Sequence, residues 1–248
     1  MRTRSVFLNS RFLVPPVLSI VIPAWNEEKR LPPALHLLDT FRRTLPFESE
    51  VIVVVEPGTD ATLAHARAFA SAHPGFEILG TPVHRGKGHA VQTGMRHARG
   101  DLLFYMDADL SVPLPEILAF LDYFKAHPEV AILVGNRAHA KSRITRRQAF
   151  LRRTMGDVFN RILQGWGLVS LHDTQCGFKA FRREAAQAIF ARQTVDGFAF
   201  DVELLLIARR LGYTIADLPV EWLNSPESKV HILRDSARML LDAWRMRG

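Results

Sequence analysis

Short runs of apolar, often β-branched residues alternate along the chain with longer segments in which apolar residues recur at helical spacing. This alternation predicts a mainly parallel sheet with helices on both faces, which is an α/β layer fold. The predicted strands of the first half are 18–23, 50–55, 76–79, 102–106 and 130–134. The predicted helices between them are 28–43, 61–72, 88–98 and 115–126. Two prolines leave open a later start of the first helix, at Pro33.

The alternation loosens after Arg137, where a basic stretch begins. Beyond it we predict helices over 146–165, 183–191, 201–211 and 230–247, an irregular segment over 173–181, and an edge strand over 213–222. We interpret residues 1–248 as one domain, with a first half at about 17–137, a mixed second half at 138–227 that caps it, and a C-terminal amphipathic helix at 228–248.

Composition and charge narrow the class of protein. The 248 residues are 48% hydrophobic and 23% charged, which suits a globular chain and excludes a disordered one. The net charge of +7 favours an anionic partner, with a phosphorylated substrate, a membrane surface and a nucleic acid as the three classes. The single cysteine, Cys176, excludes an internal disulfide and a cysteine-based zinc finger.

Two segments bear on membrane contact. The longest apolar run, 12–25, contains three prolines and is shorter than the ~20 residues of a spanning helix, so we expect no transmembrane segment. The last helix, 230–247, combines apolar residues at helical spacing with arginines, which is typical of a basic helix at a lipid surface. The same stripe suits a helix docked on the sheet. The expected location is the cytoplasm, with peripheral contact on the inner face of the membrane left open.

Polar residues follow four of the predicted strands. In open parallel sheets ligands bind beyond the carboxyl ends of the strands, so these residues are candidates for a site. Residues of the same types also cap helices, which is the alternative for each segment taken singly. The four segments are 25–28, 56–60, 107–109 and 135–137.

Asp107 and Asp109 form the sharpest group, because two carboxylates two residues apart in an extended segment point to the same side. Such a pair suits Mg²⁺ or Mn²⁺ shared with the phosphates of a substrate. In the alternative interpretation, one aspartate caps the next helix and the other is solvated.

A second group is HRGKGHAVQTG, residues 84–94. Gly86 and Gly88 let the backbone approach an anion, Lys87 adds a positive charge, and the helix that begins there offers unpaired N–H groups, so the segment suits a diphosphate. A glycine-rich turn with solvated basic residues is the alternative.

A basic run after the fifth strand suits an anionic acceptor or, alternatively, a solvated helix face. The run comprises Lys141, Arg143, Arg146, Arg147, Arg152 and Arg153.

Six segments in order resemble the motifs of inverting family 2 glycosyltransferases with the GT-A fold, most of all the dolichyl-phosphate β-glucosyltransferase group. They are VIPAWNEE at 21–28, RGKG at 85–88, DADLS at 107–111, GNR at 135–137, DTQCGFKAF at 173–181 and GFAFDVELL at 197–205. The pairing of RGKG with DTQCGFK is what narrows the resemblance to enzymes that use a polyprenyl phosphate acceptor.

The resemblance implies a Rossmann-like GT-A sheet, with 17–137 as the nucleotide-sugar half and 138–227 as the acceptor half. It implies transfer of a hexose, glucose by similarity to the group, from UDP- or GDP-hexose to polyprenyl or dolichyl phosphate, with Mg²⁺ or Mn²⁺ as cofactor. The implied nucleotide-sugar contacts are Pro23, Asn26, Glu27, Glu56, Lys87 and Asp107. The implied metal ligands are Asp107, Asp109 and Ser111, and the implied catalytic residues are Asp107, Asp109 and Asp201. The acceptor residues are Arg137 and Gln175, together with Arg143 and Arg147 of the basic run; Asp173 and Glu203 are further candidates.

Departures from the family pattern keep alternatives open. The string EPGTDAT at 56–62 is shorter than the usual DDGSxDxT, so the identity of the nucleotide stays undetermined. The lack of a QxxRW motif disfavours a processive polysaccharide synthase. A soluble family 2 transferase with a small phosphorylated or hydroxyl acceptor is the main alternative, ahead of a sugar-phosphate nucleotidylyltransferase. Only the net charge suggests a nucleic-acid binder, and no recognised motif supports one, so we expect no nucleic-acid partner.

Overall fold

The computed structural model describes residues 16–144, 161, 165–166, 173–223 and 232–246. Most of its strands belong to one sheet. The strands are β1 Leu18–Ala24, β2 Ser49–Val55, β3 Phe76–Gly80, β4 Leu102–Met106, β5 Val130–Asn136, β6 Arg143–Ile144, β7 Phe178–Arg182, β8 Thr214–Pro219 and β9 Glu221–Trp222. The helices are α1 Leu31–Thr44, α2 Thr62–Ala72, α3 Lys87–His97, α4 Glu116–Ala126, α5 Arg183–Phe190, α6 Phe200–Arg210 and α7 Ile232–Arg245.

The main sheet has the order β3-β2-β1-β4-β7-β5-β8, while β6 and β9 form a separate parallel pair. Its neighbouring strands are parallel except at β7, which is antiparallel to both β4 and β5. Helices α1, α2 and α4 pack on one face of the sheet, and α3, α5, α6 and α7 pack on the other. The predicted mainly parallel α/β fold with two covered faces and a mixed second half is confirmed.

The elements of the first half lie within three residues of their predicted bounds. Helix α1 begins at Leu31, earlier than Pro33, because prolines are tolerated in a first turn whose N–H groups have no partner within the helix. The predicted edge strand 213–222 is divided at Val220 into β8 and β9. Most of the predicted helix 146–165 lies outside the described residues.

The prediction of an irregular segment over 173–181 is wrong for its second part. Residues Phe178–Arg182 form β7, which lies in the middle of the sheet between β4 and β5. The error has a physical cause: Lys179 is fully buried in this strand, and a charged residue in a short run conceals the apolar pattern of a central strand.

Candidate active site

The carboxyl ends of β1, β2, β4 and β5 lie at one edge of the sheet, as expected for parallel strands. Strand β7 runs in the opposite direction, so its first residues reach the same edge. The loops that carry the polar motifs therefore meet there.

Asp107, the first residue after β4, is the point at which three motifs meet. Its Oδ1 lies 2.6 Å from Nζ of Lys87, the first residue of α3. Its Oδ2 lies against Gly177, the residue before β7, where a β-carbon would be only 2.2 Å from this oxygen. Glycine is therefore required at position 177. The Asp107 side chain is 39% exposed and so remains open to a ligand.

Lys87 is a cation that forms an ion pair with Asp107 and lies within range of the charges of two further aspartates. Burial lowers the pKa of its ammonium group, but the charges of the aspartates outweigh burial, so that its pKa lies above the usual value for lysine. The aspartates are Asp107, Asp201 and Asp109, in decreasing order of their effect. A lysine held in its charged form at this edge can stabilise the negative charge of a departing diphosphate.

Asp109 is held by residues from two loops. Its Oδ1 accepts hydrogen bonds from the amide of Ser111 at 3.0 Å and from the hydroxyl of Ser111 at 2.6 Å. Its Oδ2 lies 3.3 Å from Nη1 of Arg30, which also donates from Nε to Glu27 at 2.6 Å. Arg30 therefore ties the loop after β1 to the loop after β4. Sequence reasoning missed it, because its partner Asp109 is distant in the chain.

The oxygens of Asp107, Asp109 and Ser111 are the type that Mg²⁺ and Mn²⁺ prefer. Among the residues that the structure describes, no group of three or more histidine, cysteine or acidic side chains is arranged to hold a metal ion. Two carboxylates and a hydroxyl leave most of an octahedral coordination sphere to water and phosphate oxygens, which is usual for Mg²⁺ sites shared with a substrate. The residues present thus fit a divalent cation held jointly by protein and nucleotide.

The loops after β1 and β2 interlock. Pro23 lies in β1 beyond the residues that pair with β4, so its missing N–H costs no ladder bond on that side. Asn26 has a φ of 54°, and its Oδ1 accepts a 2.8 Å hydrogen bond from the amide of Thr59. The amide of Glu27 donates to the hydroxyl of Thr62 at 2.7 Å. These contacts fix Asn26 and Glu27 at the edge of the sheet.

Glu56, directly after β2, holds the loop that carries the RGKG motif. Its side chain is 2% exposed and accepts hydrogen bonds from the amides of Arg85 at 3.2 Å and Gly86 at 2.9 Å. Nδ1 of His84 lies 2.6 Å from one carboxylate oxygen, and Nδ1 of His89 lies 2.9 Å from the other. Both oxygens are used inside the protein, so Glu56 shapes this loop, and its direct contact with a nucleotide stays a prediction.

The two glycines of the RGKG loop face the segment before α6. At Gly86, where φ is +129°, a β-carbon would be 2.7 Å from the carbonyl oxygen of Asp196. At Gly88 a β-carbon would be 2.5 Å from the carbonyl oxygen of Val195. The amide of His89 also donates to the Asp196 carbonyl, at 3.2 Å. Close packing against the backbone of residues 195–196 is therefore one reason why positions 86 and 88 are glycine. The sequence alone did not reveal this contact.

Arg137, directly after β5, is fixed by Asp173. Its amide and Nε donate to Oδ2 of Asp173 at 2.9 and 2.8 Å, and its Nη2 donates to Oδ1 at 2.8 Å. Burial raises the pKa of Asp173, but pairing with Arg137 outweighs burial and holds this pKa below its usual value. The guanidinium carbon also lies 5.5 Å from the ring centre of Trp222. Nη1 has no hydrogen-bond partner among the described residues, so it remains available to an anion.

The other predicted acceptor residues are spread more widely. Arg143 is exposed in β6, which pairs with β9. Arg147 lies outside the described residues. Nε2 of Gln175 lies 3.9 Å from Sδ of Met239 in α7. Of the three that the structure describes, Arg137 is the one that lies directly after a strand of the main sheet.

Asp201, in the first turn of α6, belongs to a buried network that sequence reasoning missed. Its Oδ1 accepts a 2.5 Å hydrogen bond from the hydroxyl of Tyr105 and pairs with Nζ of Lys179. Lys179 also donates to the carbonyl of Cys176 at 2.8 Å. The one signal in the sequence is that the lysine stands between the apolar residues Phe178 and Ala180.

Two further motif residues have structural contacts. Glu203 accepts hydrogen bonds from the amide of Thr194 at 2.9 Å and the amide of Val195 at 2.8 Å, and so holds the segment that packs on the RGKG loop. Burial raises the pKa of the Cys176 thiol to about 12. Cys176 is thus a buried packing residue, and a thiol with this pKa is rarely ionised.

Helix α7 packs against the core on the side of the sheet that also carries α3, α5 and α6. Met239 and Ala243 are buried against the core, with 8% and 0% exposure. On the outer side of the helix, Leu241 is 47% and Trp244 60% exposed, and the side chain of Arg245 is 66% exposed. The helix thus contributes to the core and also presents an apolar, basic outer surface. None of the helices in the described part of the chain is long and apolar enough to cross a membrane.

Comparison with known families agrees with this geometry. The model of the family described as glycosyl transferase family 2 matches residues 19–190, which is more than half of the chain. The chain belongs to glycosyltransferase family 2. The family and the enzyme class that the motifs predict are therefore confirmed.

Curated relatives of this family 2 chain include dolichyl-phosphate beta-glucosyltransferases. ALG5C of Trichomonas vaginalis is 36% identical over 222 residues, which cover 86% of the chain and 66% of that relative. The human enzyme of that name is 32% identical over 251 residues, which cover 92% of the chain and 78% of the relative. The chain thus spans about two thirds of the length of the Trichomonas protein.

Solved structures similar to this family 2 chain include glycosyltransferases. Glucosyl-3-phosphoglycerate synthase from Mycobacterium tuberculosis, solved with Mn²⁺, UDP and glucosyl-3-phosphoglycerate, has a TM-score of 0.65 and 20% identity over 92% of this chain and 80% of that chain. The mannosyltransferase PcManGT from Pyrobaculum calidifontis, solved with GDP-Man and Mn²⁺, has a TM-score of 0.62 and 21% identity over 94% of this chain and 65% of that chain. At these identities the likeness establishes the fold.

Proposed function

We propose that this glycosyltransferase moves glucose from UDP- or GDP-glucose to the phosphate of a polyprenyl or dolichyl phosphate, with inversion at the sugar carbon. The relatives in Trichomonas and human are named for glucose transfer with dolichyl phosphate. The observation that carries the proposal is the meeting of Lys87, Asp107 and Gly177 at one point. This contact joins the RGKG and DTQCGFK motifs, whose pairing is typical of enzymes with a polyprenyl phosphate acceptor.

The donor side of the proposal rests on charge and oxygen ligands. Asp107, Asp109 and Ser111 would hold Mg²⁺ or Mn²⁺, which would neutralise charge on the leaving diphosphate. Lys87 adds a fixed positive charge beside the same carboxylates. Asn26 and Glu27 lie on the neighbouring loop, where they would contact the nucleoside.

The acceptor side of the proposal rests on Arg137. Its guanidinium group is oriented by Asp173 and keeps Nη1 for a phosphate oxygen. A phosphate acceptor is already anionic and needs little help from a general base, whereas a sugar hydroxyl needs a group to take its proton. We assign the donor to the half at about 17–137, and the acceptor to the half at 138–227 together with Arg137, which lies at the boundary of the two halves within one domain.

A small phosphorylated acceptor is the second candidate. The solved neighbour with UDP and Mn²⁺ is named for glucose transfer with phosphoglycerate, and Arg137 would hold a phosphate of either type of acceptor. A hydroxyl acceptor would assign the role of general base to Asp201, whose Oδ2 has no hydrogen-bond partner among the described residues.

We further propose that the outer side of α7 contacts an anionic membrane surface from the cytoplasmic side. Leu241 and Trp244 supply apolar area, and Arg238 and Arg245 are exposed and supply positive charge. A lipid-linked acceptor would reach the enzyme at such a surface.

The function is tested by offering the purified chain UDP-glucose and GDP-glucose with Mn²⁺ and one of two acceptors, a short polyprenyl phosphate or 3-phosphoglycerate. We expect a glucosylated polyprenyl phosphate with one of the two donors. Transfer to 3-phosphoglycerate alone would support the second candidate, and transfer to neither would contradict both.

A further inference from the structure

Lys179 is a lysine with no exposed surface in the middle of the sheet. Its Nζ pairs with Oδ1 of Asp201 and donates to the carbonyl of Cys176 at 2.8 Å. The ring of Tyr105 is the third neighbour, with Nζ 5.5 Å from its centre. A buried ammonium group is costly in free energy unless it is paired and hydrogen-bonded. Asp201 and the Cys176 carbonyl must therefore stay within hydrogen-bond distance of Nζ.

The two groups that Lys179 holds both lie next to the candidate active site. The carbonyl of Cys176 belongs to the turn that leads into Gly177, and Gly177 lies directly against the carboxylate of Asp107. Asp201 is close enough to Lys87 that its charge contributes to the raised pKa of that lysine. Lys179 is the last residue of the acceptor-side motif DTQCGFK. Through Cys176 and Asp201 it therefore links this motif to Asp107 and Lys87, which the donor would contact.

Only one of the two carboxylate oxygens of Asp201 accepts hydrogen bonds from the described residues. Its Oδ1 takes both the Tyr105 hydroxyl and the Lys179 ammonium group, while Oδ2 has no hydrogen-bond partner among the described residues. A carboxylate anchored through one oxygen keeps the direction of the other oxygen fixed. Tyr105 is itself fully buried and packs against Phe181 and Phe200, which restricts the movement of this anchor.

We propose that Lys179 is a positioning residue: it holds the Asp201 carboxylate and the turn before Gly177 in one arrangement, and through Gly177 it sets the position of Asp107. This inference rests on the proposed function only for the choice of substrates in its test. Because Lys179 has no exposed surface, we expect its loss to act through the geometry of Asp201 and Asp107.

The test compares Lys179→Met, Lys179→Arg and wild type. Glu50→Gln is the matched control, because Glu50 is equally buried and ion-paired, with Arg99 at 2.7 Å, but at the opposite edge of the sheet. For each protein we would measure the thermal midpoint, kcat and KM for the donor, and Mn²⁺ binding by electron paramagnetic resonance in the presence of UDP or GDP.

We expect Lys179→Met to lower kcat about 100-fold and to weaken Mn²⁺ binding about 10-fold, because the carboxylates lose their alignment. Lys179→Arg keeps the cation but is larger than lysine in a fully buried site, so it should recover part of the kcat lost in Lys179→Met. Glu50→Gln should lower the thermal midpoint and leave kcat and Mn²⁺ binding unchanged. A folded Lys179→Met protein with wild-type kcat and Mn²⁺ binding would overturn the inference, as would equal losses in Lys179→Met and Glu50→Gln.

If Lys179→Met does not fold, Lys179→Gln replaces it. Its amide is uncharged and sits on a shorter side chain, so it cannot replace the ion pair with Asp201; reduced kcat supports the inference and unchanged kcat overturns it. Failure of the proposed function looks different: the wild type then transfers glucose to no polyprenyl phosphate, while the Mn²⁺ binding of the Lys179 variants still tests the positioning role.

Discussion

Replacement of Gly177 by alanine tests whether the contact between the DTQCG turn and Asp107 sets the geometry of the site. The added β-carbon would be 2.2 Å from Oδ2, 2.6 Å from Cγ and 2.8 Å from Oδ1 of Asp107. All three distances are shorter than any tolerated contact, and the whole carboxylate is affected. The Asp107 side chain or the turn must therefore move.

The size of the effect follows from this overlap. An ordinary contact requires a displacement of roughly 1 Å, and a misplacement of this size in an active site can cost about 100-fold in rate. A 100-fold loss corresponds to about 2.7 kcal/mol of transition-state stabilisation. We expect this loss in kcat at saturating donor, acceptor and metal, because the protein stays folded while the carboxylate moves.

Gly80→Ala is the matched control for this experiment. Gly80 ends the edge strand β3, and a β-carbon there has its nearest neighbour at 3.6 Å, an ordinary contact. The kcat of Gly80→Ala should equal that of wild type. The thermal midpoints of wild type, Gly177→Ala and Gly80→Ala should be similar. A Gly177→Ala enzyme with wild-type kcat would refute the argument that this contact positions Asp107.

Four further predictions concern the metal ligand Asp107, the acceptor residue Arg137, the loop-holding Glu56 and the outer side of α7. Asp107→Asn, like removal of divalent ions with EDTA, should lower transfer by at least about 100-fold in a folded protein; full activity in either case would exclude the metal role. Arg137→Lys loses the bidentate pairing and should raise the acceptor KM about 10-fold or more with unchanged nucleotide binding by calorimetry, and equal losses would assign Arg137 to the donor. Glu56→Gln should lower the free energy of unfolding in urea by about 1–3 kcal/mol, because an amide nitrogen then faces a backbone N–H; unchanged stability would contradict the loop-holding role. The Leu241→Ser/Trp244→Ser protein should stay folded but no longer float with anionic liposomes at low salt, and undiminished flotation would remove this surface from membrane contact.

The first half of the fold was predictable because each strand is a short apolar run, and each helix has a regular apolar stripe. The position of the site was predictable for a related reason: parallel strands bring their carboxyl ends to one edge, so the polar residues after β1, β2, β4 and β5 had to meet. Strand β7 escaped prediction because its pattern contains the buried Lys179.

The contacts that orient the site residues were not predictable from a single sequence. Arg30 and Asp109 are 79 positions apart, and Lys179 and Asp201 are 22 apart, so no local pattern marks either pair. The packing of the segment before α6 on Gly86 and Gly88 depends in the same way on tertiary structure. Sequence motifs indicated which residues carry the chemistry, and the structure was needed to see what holds each of them.

The most direct test of the central proposal is transfer of labelled glucose from UDP-glucose or GDP-glucose, with Mn²⁺, to a polyprenyl phosphate and to the corresponding polyprenol. These two acceptors differ only in the phosphate that Arg137 is proposed to bind. We predict glucosylated polyprenyl phosphate with one donor and no product from polyprenol. Equal transfer to both acceptors, or no transfer to the phosphate, would contradict the proposed function.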